Sequence, residues 1–287
     1  MSSLNVQQFS GAGPIPEVIQ GFVFVAALFA LLYSVEGLVK LYASYKTSRI
    51  ELIANTLDSK KAKVITQSPS LPETLVLPSD NQLTGVEFTY VFFLYVNAET
   101  FDQSAQAEEL KQVFYKGYKY QPFPLLGPGV FLRTQTNTMR VVMNSYKNWW
   151  SYVDIENIPI AKWFQVGLVF RRNNLEVYVN GNIAGRIAME NTYPYQNYQD
   201  IIVFGSNGYN RGTANKVTPL GSTEEESILI KGSISGQLSR LYYYRYALSY
   251  SELQSLGAMG PSTTMEGSAD DFAKVPLSET WYTTGQL

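Results

Sequence analysis

Two neighbouring stretches of the chain carry the pattern of a β-hairpin. Large apolar side chains recur along residues 163–170 and again along residues 175–179, as in strands that are buried on one face. The dipeptide Asn180-Gly181 follows the second stretch, and residues 183–187 then return as a further strand. The dipeptide favours a two-residue turn, because both turn positions require a positive φ. The pattern therefore predicts antiparallel strands joined at this turn.

Further apolar segments of strand length predict an all-β domain. Turn-forming residues separate these segments from one another. The predicted strands are residues 73–77, 85–96, 130–134, 138–143, 149–153, 201–204 and 232–244. A short helix is predicted at residues 251–256. A chain of 287 residues is long enough for one such domain with a complete core.

The order of these segments is similar to that of a known family. The matching pieces are a strand led by Trp163, a Tyr-Val-Asn-Gly turn at residues 178–181, an apolar strand ending in Gly205, a Gly-x-Ile strand from Gly232 and an Ala-Leu-Ser-x-x-Glu-Leu segment at residues 247–253. Together they resemble the laminin-G-like branch of the concanavalin A-like lectin/glucanase superfamily, over residues 70–257. The resemblance implies a two-sheet antiparallel jelly-roll sandwich.

The N-terminal region predicts one transmembrane α-helix before this sandwich. No residue from Val18 to Val35 is charged, and the apolar stretch from Val18 to Val39 reaches the roughly 20 residues that cross a bilayer. Glu36 can reach the interface or pair with Lys40, four residues further on. A cleaved signal peptide and a buried core helix are the alternatives. The first lacks a basic leader and a clear cleavage motif, and the second disagrees with a run that is apolar on all faces.

Basic residues follow the predicted span, and none precedes it. They are Lys40, Lys46, Arg49, Lys60, Lys61 and Lys63. The positive-inside rule then places the C-terminal domain on the cytoplasmic side. The absence of cysteine and of Asn-x-Ser/Thr sequons agrees with this side. We expect a single-pass membrane protein, with its domain facing the cytoplasm or, in a virion, the capsid.

These patterns divide the chain into five parts. They are a polar leader at residues 1–16, a transmembrane helix with a juxtamembrane extension at 17–58, a linker at 59–70, the sandwich at 71–257 and an extended tail at 258–287. The tail has too polar a composition to build its own core. Its large side chains are predicted to bind a partner: Phe272, Leu277, Trp281 and Tyr282.

The chain lacks most side chains that enzymes use. It has no histidine and no cysteine, which removes the commonest general base, the usual nucleophile pairs and most zinc sites. The Glu-x-Asp-x-x-Glu strand of the superfamily's glucanases is missing, and Asp154 with Glu156 comes nearest to it. Calcium needs several acidic ligands, but Asp154 and Asp200 are isolated in the sequence. We therefore predict no enzymatic activity, no cofactor and no metal. The net charge of −2 predicts no nucleic-acid partner.

The resemblance also implies a possible glycan site at a rim of the sandwich. Aromatic rings stack on sugar faces there, and amide side chains bind the hydroxyl groups. The candidate residues are Trp149, Trp150, Tyr152, Tyr195, Tyr198, Asn207 and Tyr209. Trp149 and Trp150 are adjacent in a predicted strand, so at least one of the two rings must face the core.

Together these patterns predict a structural role rather than a catalytic one. A membrane-anchored sandwich with a long polar tail suits a bracket between a lipid membrane and a protein layer. Laminin-G-like proteins of this kind occur in large DNA viruses whose capsid encloses a membrane. The resemblance therefore implies a virion minor capsid protein, with the membrane and other capsid proteins as partners. The alternative is a membrane-anchored carbohydrate-binding module.

Overall fold

The N-terminal unit is a single long helix. The computed structural model describes residues 15–71, 73–79, 86–118, 125–148, 150–189, 192–205, 215–217, 223 and 226–267. Helix α1 spans Ile15–Ser48. Within it, the 21 residues of Gly21–Leu41 have a mean hydropathy of 2.2, long and apolar enough for a membrane span. All of them are exposed. Glu36 pairs with Lys40 at 2.7 Å, as the sequence allows.

The second unit begins at Ser48 and contains the strands. In chain order they are β1 Arg49–Asp58, β2 Lys63–Ile65, β3 Phe88–Val96, β4 Glu109–Lys116, β5 Gly129–Arg133, β6 Thr138–Met143, β7 Ser151–Glu156, β8 Trp163–Arg171, β9 Asn174–Val179, β10 Asn182–Ala188, β11 Ile201–Val203, β12 Asn215–Val217, β13 Glu226–Ser233 and β14 Gly236–Tyr244. A one-turn 3₁₀ helix covers Ala98–Thr100, and helix α2 covers Tyr250–Met259.

The strands form two sheets. Sheet A has the order β1-β14-β3-β8-β9-β10, and all its neighbouring strands are antiparallel. Sheet B has the order β12-β13-β4-β5-β6-β7, while β11 pairs with both β4 and β2. The β13–β4 pair is parallel, although the resemblance implies antiparallel strands throughout. The predicted all-β fold with two sheets and an N-terminal apolar helix is confirmed.

The core lies between the two sheets, and smaller apolar clusters cover their outer faces. In the core, the rings of Phe92 and Phe114 meet edge to face at 5.2 Å. The outer cluster of sheet B includes Trp150, and the outer cluster of sheet A lies under α2. Gly167 on β8 makes room for α2, because a Cβ there would lie only 3.1 Å from Leu253 Cδ2. Both broad faces are therefore partly covered.

The predicted hairpin is confirmed. Asn180 and Gly181 have φ values of 49° and 77°, so both adopt the left-handed region that this turn requires. The flanking strands β9 and β10 pair from Val179 and Asn182 outward. Asn180 also supports the turn, since its Oδ1 accepts a hydrogen bond from the backbone N–H of Gln165 at 3.0 Å.

The predicted juxtamembrane helix is wrong. The sequence predicts helix to residue 58, but α1 ends at Ser48 and β1 begins at Arg49. Residues 49–58 pair with β14, from Arg49 opposite Tyr244 to Asp58 opposite Gln237. Hydrogen bonds to a distant strand thus take the place of the predicted local helical hydrogen bonds. The sandwich therefore starts at the residue after α1, well before residue 71.

The predicted linker and tail boundaries also change. Residues 59–70 include β2, which pairs with β11. Helix α2 continues past the predicted residue 256. The chain after it returns to β1, where the N–H of Thr56 donates to Thr264 O at 2.9 Å and the N–H of Glu266 donates to Thr56 O at 2.8 Å. Residues 258–267 thus belong to the sandwich. The predicted anchors Phe272, Leu277, Trp281 and Tyr282 lie outside the described residues.

Candidate binding surfaces

Trp150 does not belong to an exposed aromatic site. It is 0% exposed and packs in the outer cluster of sheet B with Tyr115 and Phe131. Asn148 fixes the turn that leads into it, because Asn148 Oδ1 accepts a hydrogen bond from the N–H of Trp150 at 2.7 Å. A ring enclosed in this way cannot stack on a sugar, so the prediction for Trp150 is wrong. Trp149 lies outside the described residues.

Tyr152 covers a buried charge rather than offering a free ring. The guanidinium carbon of Arg140 lies 3.7 Å from the centre of the Tyr152 ring. Arg140 is only 1% exposed. It donates two hydrogen bonds of 2.8 Å to Asp154 and one of 2.6 Å to Glu226. Burial alone would lower the pKa of Arg140, but the hydrogen bonds and charges of both carboxylates raise it above its ordinary value.

This network gives Asp154 a structural role. The guanidinium of Arg133 adds longer contacts, 3.5 Å to Asp154 and 3.4 Å to Glu226. The carboxylates of Asp154 and Glu226 are partly buried, and the cation that they share holds them in place. Asp154 is thus unsuited to act with Glu156 as an acid/base pair, and it is not an open calcium ligand.

Lys116 is a second buried cation. It is 2% exposed, and its Nζ donates to the carbonyl oxygen of Gln199 at 2.6 Å. Burial lowers its pKa to about 8, and the charge of Asp200 opposes this shift. The cavity beside it, which Tyr90 and Asn197 help to line, has a volume of about 10 Å³. That volume holds about one water. A reactive amine at this position would not be reached by a substrate.

The two aspartates named as calcium candidates lie on different parts of the sandwich. Asp200 Oδ1 accepts a hydrogen bond from the N–H of Gln67 at 3.0 Å, beside β11, whereas Asp154 lies on β7. Within the described part of the chain, no group of three or more acidic, histidine or cysteine side chains is placed to hold a metal ion.

Loops from both sheets meet at the end of the sandwich where the chain arrives from α1. We call it the Ser48 end. In sheet A, the N–H of Arg245 donates to Ser48 O at 3.0 Å, and β3 begins there at Phe88. In sheet B, β4 ends there at Lys116, which lines the same cavity as Phe88 and Tyr243. The sheets are therefore closed at this end by contacts between their loops.

Four tyrosines lie on two hydrogen-bonded loops at the Ser48 end. We call this set the tyrosine rim; its members are Tyr146, Tyr193, Tyr195 and Tyr198. Three of them are well exposed, with exposed fractions of 72% for Tyr146, 54% for Tyr193 and 68% for Tyr198. The rings of Tyr146 and Tyr195 meet edge to face at 5.1 Å. The rim is a surface of apolar rings that carry polar tips.

Backbone hydrogen bonds hold the two loops of the rim together. The N–H of Tyr146 donates to Tyr193 O at 3.2 Å, and the N–H of Tyr195 donates to Asn144 O at 3.0 Å. Below them, the side chain of Asn197 donates to the carbonyl oxygen of Lys116 at 3.1 Å. The rim is thus fixed to the end of β4 rather than carried on a free loop.

An arginine-lined cleft opens at the same end of the sandwich, beyond the C-terminal end of β8. It has a volume of about 470 Å³. Its lining residues are Glu87, Arg171, Arg172, Asn174, Glu176, Arg186 and Ala247. Arg171 is engaged, because it bonds Glu176 at 3.0 Å and the Tyr178 hydroxyl at 2.8 Å. Arg172 and Arg186 are exposed.

The sequence analysis predicted part of these surfaces. Tyr195, which contacts Tyr146, and Tyr198, which is exposed, both lie in a loop of the rim that the sequence analysis selected. Tyr146 and the arginine cleft were missed. An exposed tyrosine in a short polar loop is a weak signal, and the cleft joins residues from separate strands. Asn207 and Tyr209 lie outside the described residues.

Comparisons with known proteins give similarity at the level of fold. No protein-family model matches the chain, and no curated protein sequence matches it. Among solved structures, the receptor-binding domain of botulinum neurotoxin D is similar with a TM-score of 0.46 and 8% identity, over 75% of this chain and 53% of that one. The binding domain of botulinum neurotoxin DC, solved with rat synaptotagmin II, gives 0.40 and 12%, over 69% and 40%.

A sialidase is also among the similar structures. Trypanosoma rangeli sialidase gives a TM-score of 0.37 and 13% identity, over 60% of this chain and 22% of the sialidase. The chain spans about half, or less, of the length of the structures that it matches. At these values the similarity assigns neither a ligand nor a reaction to the chain.

Proposed function

We propose that the chain is a single-pass membrane protein whose sandwich is a non-enzymatic bracket between a lipid bilayer and an adjacent protein layer. One observation carries this proposal: an exposed and predominantly apolar segment of 21 residues, Gly21–Leu41, lies only a few residues before the first strand of the sandwich. Large apolar side chains such as Phe22 and Phe24 are 73% and 69% exposed. A bilayer would remove them from water.

The short connection favours a bracket over a receptor on a stalk. Helix α1 ends at Ser48 and β1 begins at Arg49, with no flexible linker between them. Residues 49–58 are a strand of sheet A, paired along β14. A sandwich attached in this way stays close to the bilayer, whereas a long polar linker would let it search a large volume.

A non-enzymatic role agrees with the chemistry of the described residues. Asp154, one residue of the acidic pair nearest to a glycosidase pattern, is bonded to the buried Arg140, and the amine of Lys116 is enclosed. The laminin-G-like resemblance and the basic residues after the span support a narrower form of the proposal. In that form the protein is a minor capsid protein of a virion with an internal membrane, and its sandwich faces the capsid.

Membrane extraction of the full chain tests the anchor. We expect the protein to stay in the membrane pellet at alkaline pH, and protease added on the cytoplasmic side to digest the sandwich. In the control variant Leu31→Arg/Leu32→Arg, each charge at the centre of the span costs about 2.5–3.5 kcal/mol of insertion, so the protein should be released. Release of the unmodified chain would refute the anchor. Protection of the sandwich from protease would refute its cytoplasmic side.

A second candidate function is glycan binding, and the tyrosine rim is the observation that favours it. Exposed tyrosine rings with polar tips can stack on sugar rings. Glycan-array binding of the full chain in detergent would test it, with Tyr198→Ala as the rim variant and Tyr250→Ala, an exposed tyrosine at the start of α2, as the control. Glycan binding that is lost in Tyr198→Ala and kept in Tyr250→Ala would favour this function. No binding would leave the bracket as the better account.

A further inference from the structure

The register of sheet A places the start of the sandwich beside the arginine cleft. Arg49 pairs with Tyr244, Tyr244 with Thr89, Thr89 with Val169, and Val169 with Glu176; Glu176 pairs in turn with Arg186. This row crosses the whole sheet near its Ser48 end. After two more residue pairs, the β8–β9 turn contains Arg172 and Asn173, both with positive φ. The cleft is therefore built at the Ser48 end from neighbouring strands.

Two arginines of the cleft are available to a ligand. Arg171 is held by Glu176 and by the Tyr178 hydroxyl. Arg172 and Arg186 are exposed, and no ion pair with another described residue engages either of them. Guanidinium groups present several donors in a plane and bind phosphate through two parallel hydrogen bonds. The cleft thus has the chemistry of a phosphate site.

The tyrosine rim and the cleft share one end of the sandwich, although they belong to different sheets. Ser79 connects them, because its N–H donates to Gln196 in the rim loop at 3.3 Å and its hydroxyl oxygen accepts a hydrogen bond from the N–H of Glu87, which lines the cleft, at 3.2 Å. Tyrosine is enriched where proteins meet the headgroup layer of a membrane, because its ring is apolar and its tip is polar. An end of the sandwich that presents both arginines and tyrosines suits contact with a layer that contains both phosphate groups and hydrocarbon.

The distance to the proposed bilayer is limited by the chain itself. Residues 42–48 separate the apolar span from β1. Even fully extended, seven residues reach at most about 25 Å. The Ser48 end therefore cannot lie farther than this from the end of the hydrocarbon-spanning segment, whereas the Asn180-Gly181 turn is at the opposite end of the strands.

We propose that the Ser48 end is a membrane-contact surface, on which Arg172 and Arg186 bind the phosphate of anionic lipid headgroups and the tyrosine rim lies in the headgroup layer. The proposal rests on the membrane anchor proposed above and adds a lipid class and a docking face to it. It also explains why exposed aromatic rings and the exposed Arg172 and Arg186 lie at the end where the chain enters the sandwich.

Hydrogen exchange of the full chain in nanodiscs tests this surface. The comparison uses nanodiscs of neutral phosphatidylcholine, nanodiscs with about one third phosphatidylglycerol, and nonionic detergent. We expect amides of residues 145–148, 171–174 and 193–198 to exchange about tenfold more slowly in the anionic nanodiscs than in detergent. The variant Arg172→Gln/Arg186→Gln should lose this protection. The control Lys60→Gln/Lys61→Gln, which removes the same charge at the opposite end, should keep it.

The outcomes separate this proposal from the proposed anchor. A chain that fails to enter nanodiscs refutes the anchor. A chain that enters them, yet exchanges at the same rate in all three environments, refutes only the contact surface. Inorganic phosphate that gives equal protection in detergent would show a site for free anions and would overturn the lipid assignment. A soluble glycan that binds the rim of the nanodisc-embedded chain would show an open rim and would overturn it as well.

Discussion

Replacing Lys116 by methionine tests whether a buried cation destabilises the sandwich at the Ser48 end. Lys116 is 2% exposed, and its Nζ donates a hydrogen bond to the carbonyl oxygen of Gln199 at 2.6 Å. Burial lowers the pKa of this amine to about 8 from an ordinary value of 10.5, and Asp200 offsets part of the effect. Methionine has a similar length and no charge, so Lys116→Met removes the cost of burying a cation while it keeps most of the packing.

The sign of the pH dependence follows from proton binding. The unfolded chain holds the Lys116 proton up to about pH 10.5, whereas the folded chain releases it near pH 8. Between these values the unfolded chain binds more protons, so the free energy of unfolding rises with pH. Below pH 8 the free-energy cost of burying the Lys116 charge is fully present, and it is about 3 kcal/mol for this difference in pKa. Between pH 7 and pH 9.5, about 2 kcal/mol of it is relieved.

The assay is urea unfolding of the full chain in nonionic detergent, followed by tryptophan fluorescence at several pH values from 7 to 9.5. The unmodified chain should gain about 2 kcal/mol over this range, and Lys116→Met less than about 0.5 kcal/mol. The range ends below pH 10 because burial raises the pKa of Tyr90 well above its ordinary value, so stability falls once unfolded tyrosines ionise. Lys147→Met, an exposed lysine of the rim loop, should keep the slope of the unmodified chain.

Two results would refute this reasoning. An unmodified chain whose stability does not change between pH 7 and pH 9.5 would mean that water reaches the amine. A slope that persists unchanged in Lys116→Met would mean that another group causes it.

Three further changes test the rest of the sandwich. Arg140→Met leaves two carboxylates without their cation and should cost about 3–5 kcal/mol in urea unfolding; a cost below about 1 kcal/mol would contradict a buried network. Ending the chain after Leu256 removes the segment bonded to β1 and should lower the melting temperature, whereas ending it after Gly267 should not; equal melting temperatures would show that the segment is dispensable. Gly181→Val puts a β-branched side chain at a φ of 77° and should cost about 1–3 kcal/mol, while the strand variant Asn182→Val should cost less.

The fold was predictable where local chemistry decides the conformation. The Asn180-Gly181 turn needs two positive φ values, and few other residue pairs accept them as easily, so the hairpin could be placed from two residues. Ser249 and Glu252 form a capping box at the start of α2, which is also a local signal. Patterns of this kind depend on neighbours in sequence, and the structure agrees with them.

Residues 49–58 show where sequence reasoning stops. They follow a long helix without any Pro or Gly to end it, and their apolar positions fit helical spacing poorly but not decisively. Their strand conformation depends on β14, almost two hundred positions away, with bulges that shift the register between Glu51, Ile53 and Thr56. Such a partner cannot be read from the segment itself, since β conformation is decided largely by pairing and burial.

The candidate surfaces were harder to predict for a similar reason. Alternation places Trp150 and Tyr152 on definite faces of a strand, but it does not tell whether an outer face is covered. Here Ile228 of β13 belongs to the cluster over sheet B, and Glu226 reaches Arg140. Exposure of an aromatic ring in a sandwich is therefore a tertiary property.

The surfaces that remain open lie at the ends of the sandwich, because α2 and the outer clusters occupy much of its broad faces. The two ends differ in chemistry. The Ser48 end presents the tyrosine rim and the arginine cleft, while turns such as Asn180-Gly181 form the opposite end. If the Ser48 end rests on lipid headgroups, the strands of both sheets run away from the bilayer, and the opposite end is the face presented to a neighbouring protein layer. The bracket function then assigns one end to lipid and the other to protein, so variants at the two ends should separate membrane contact from assembly.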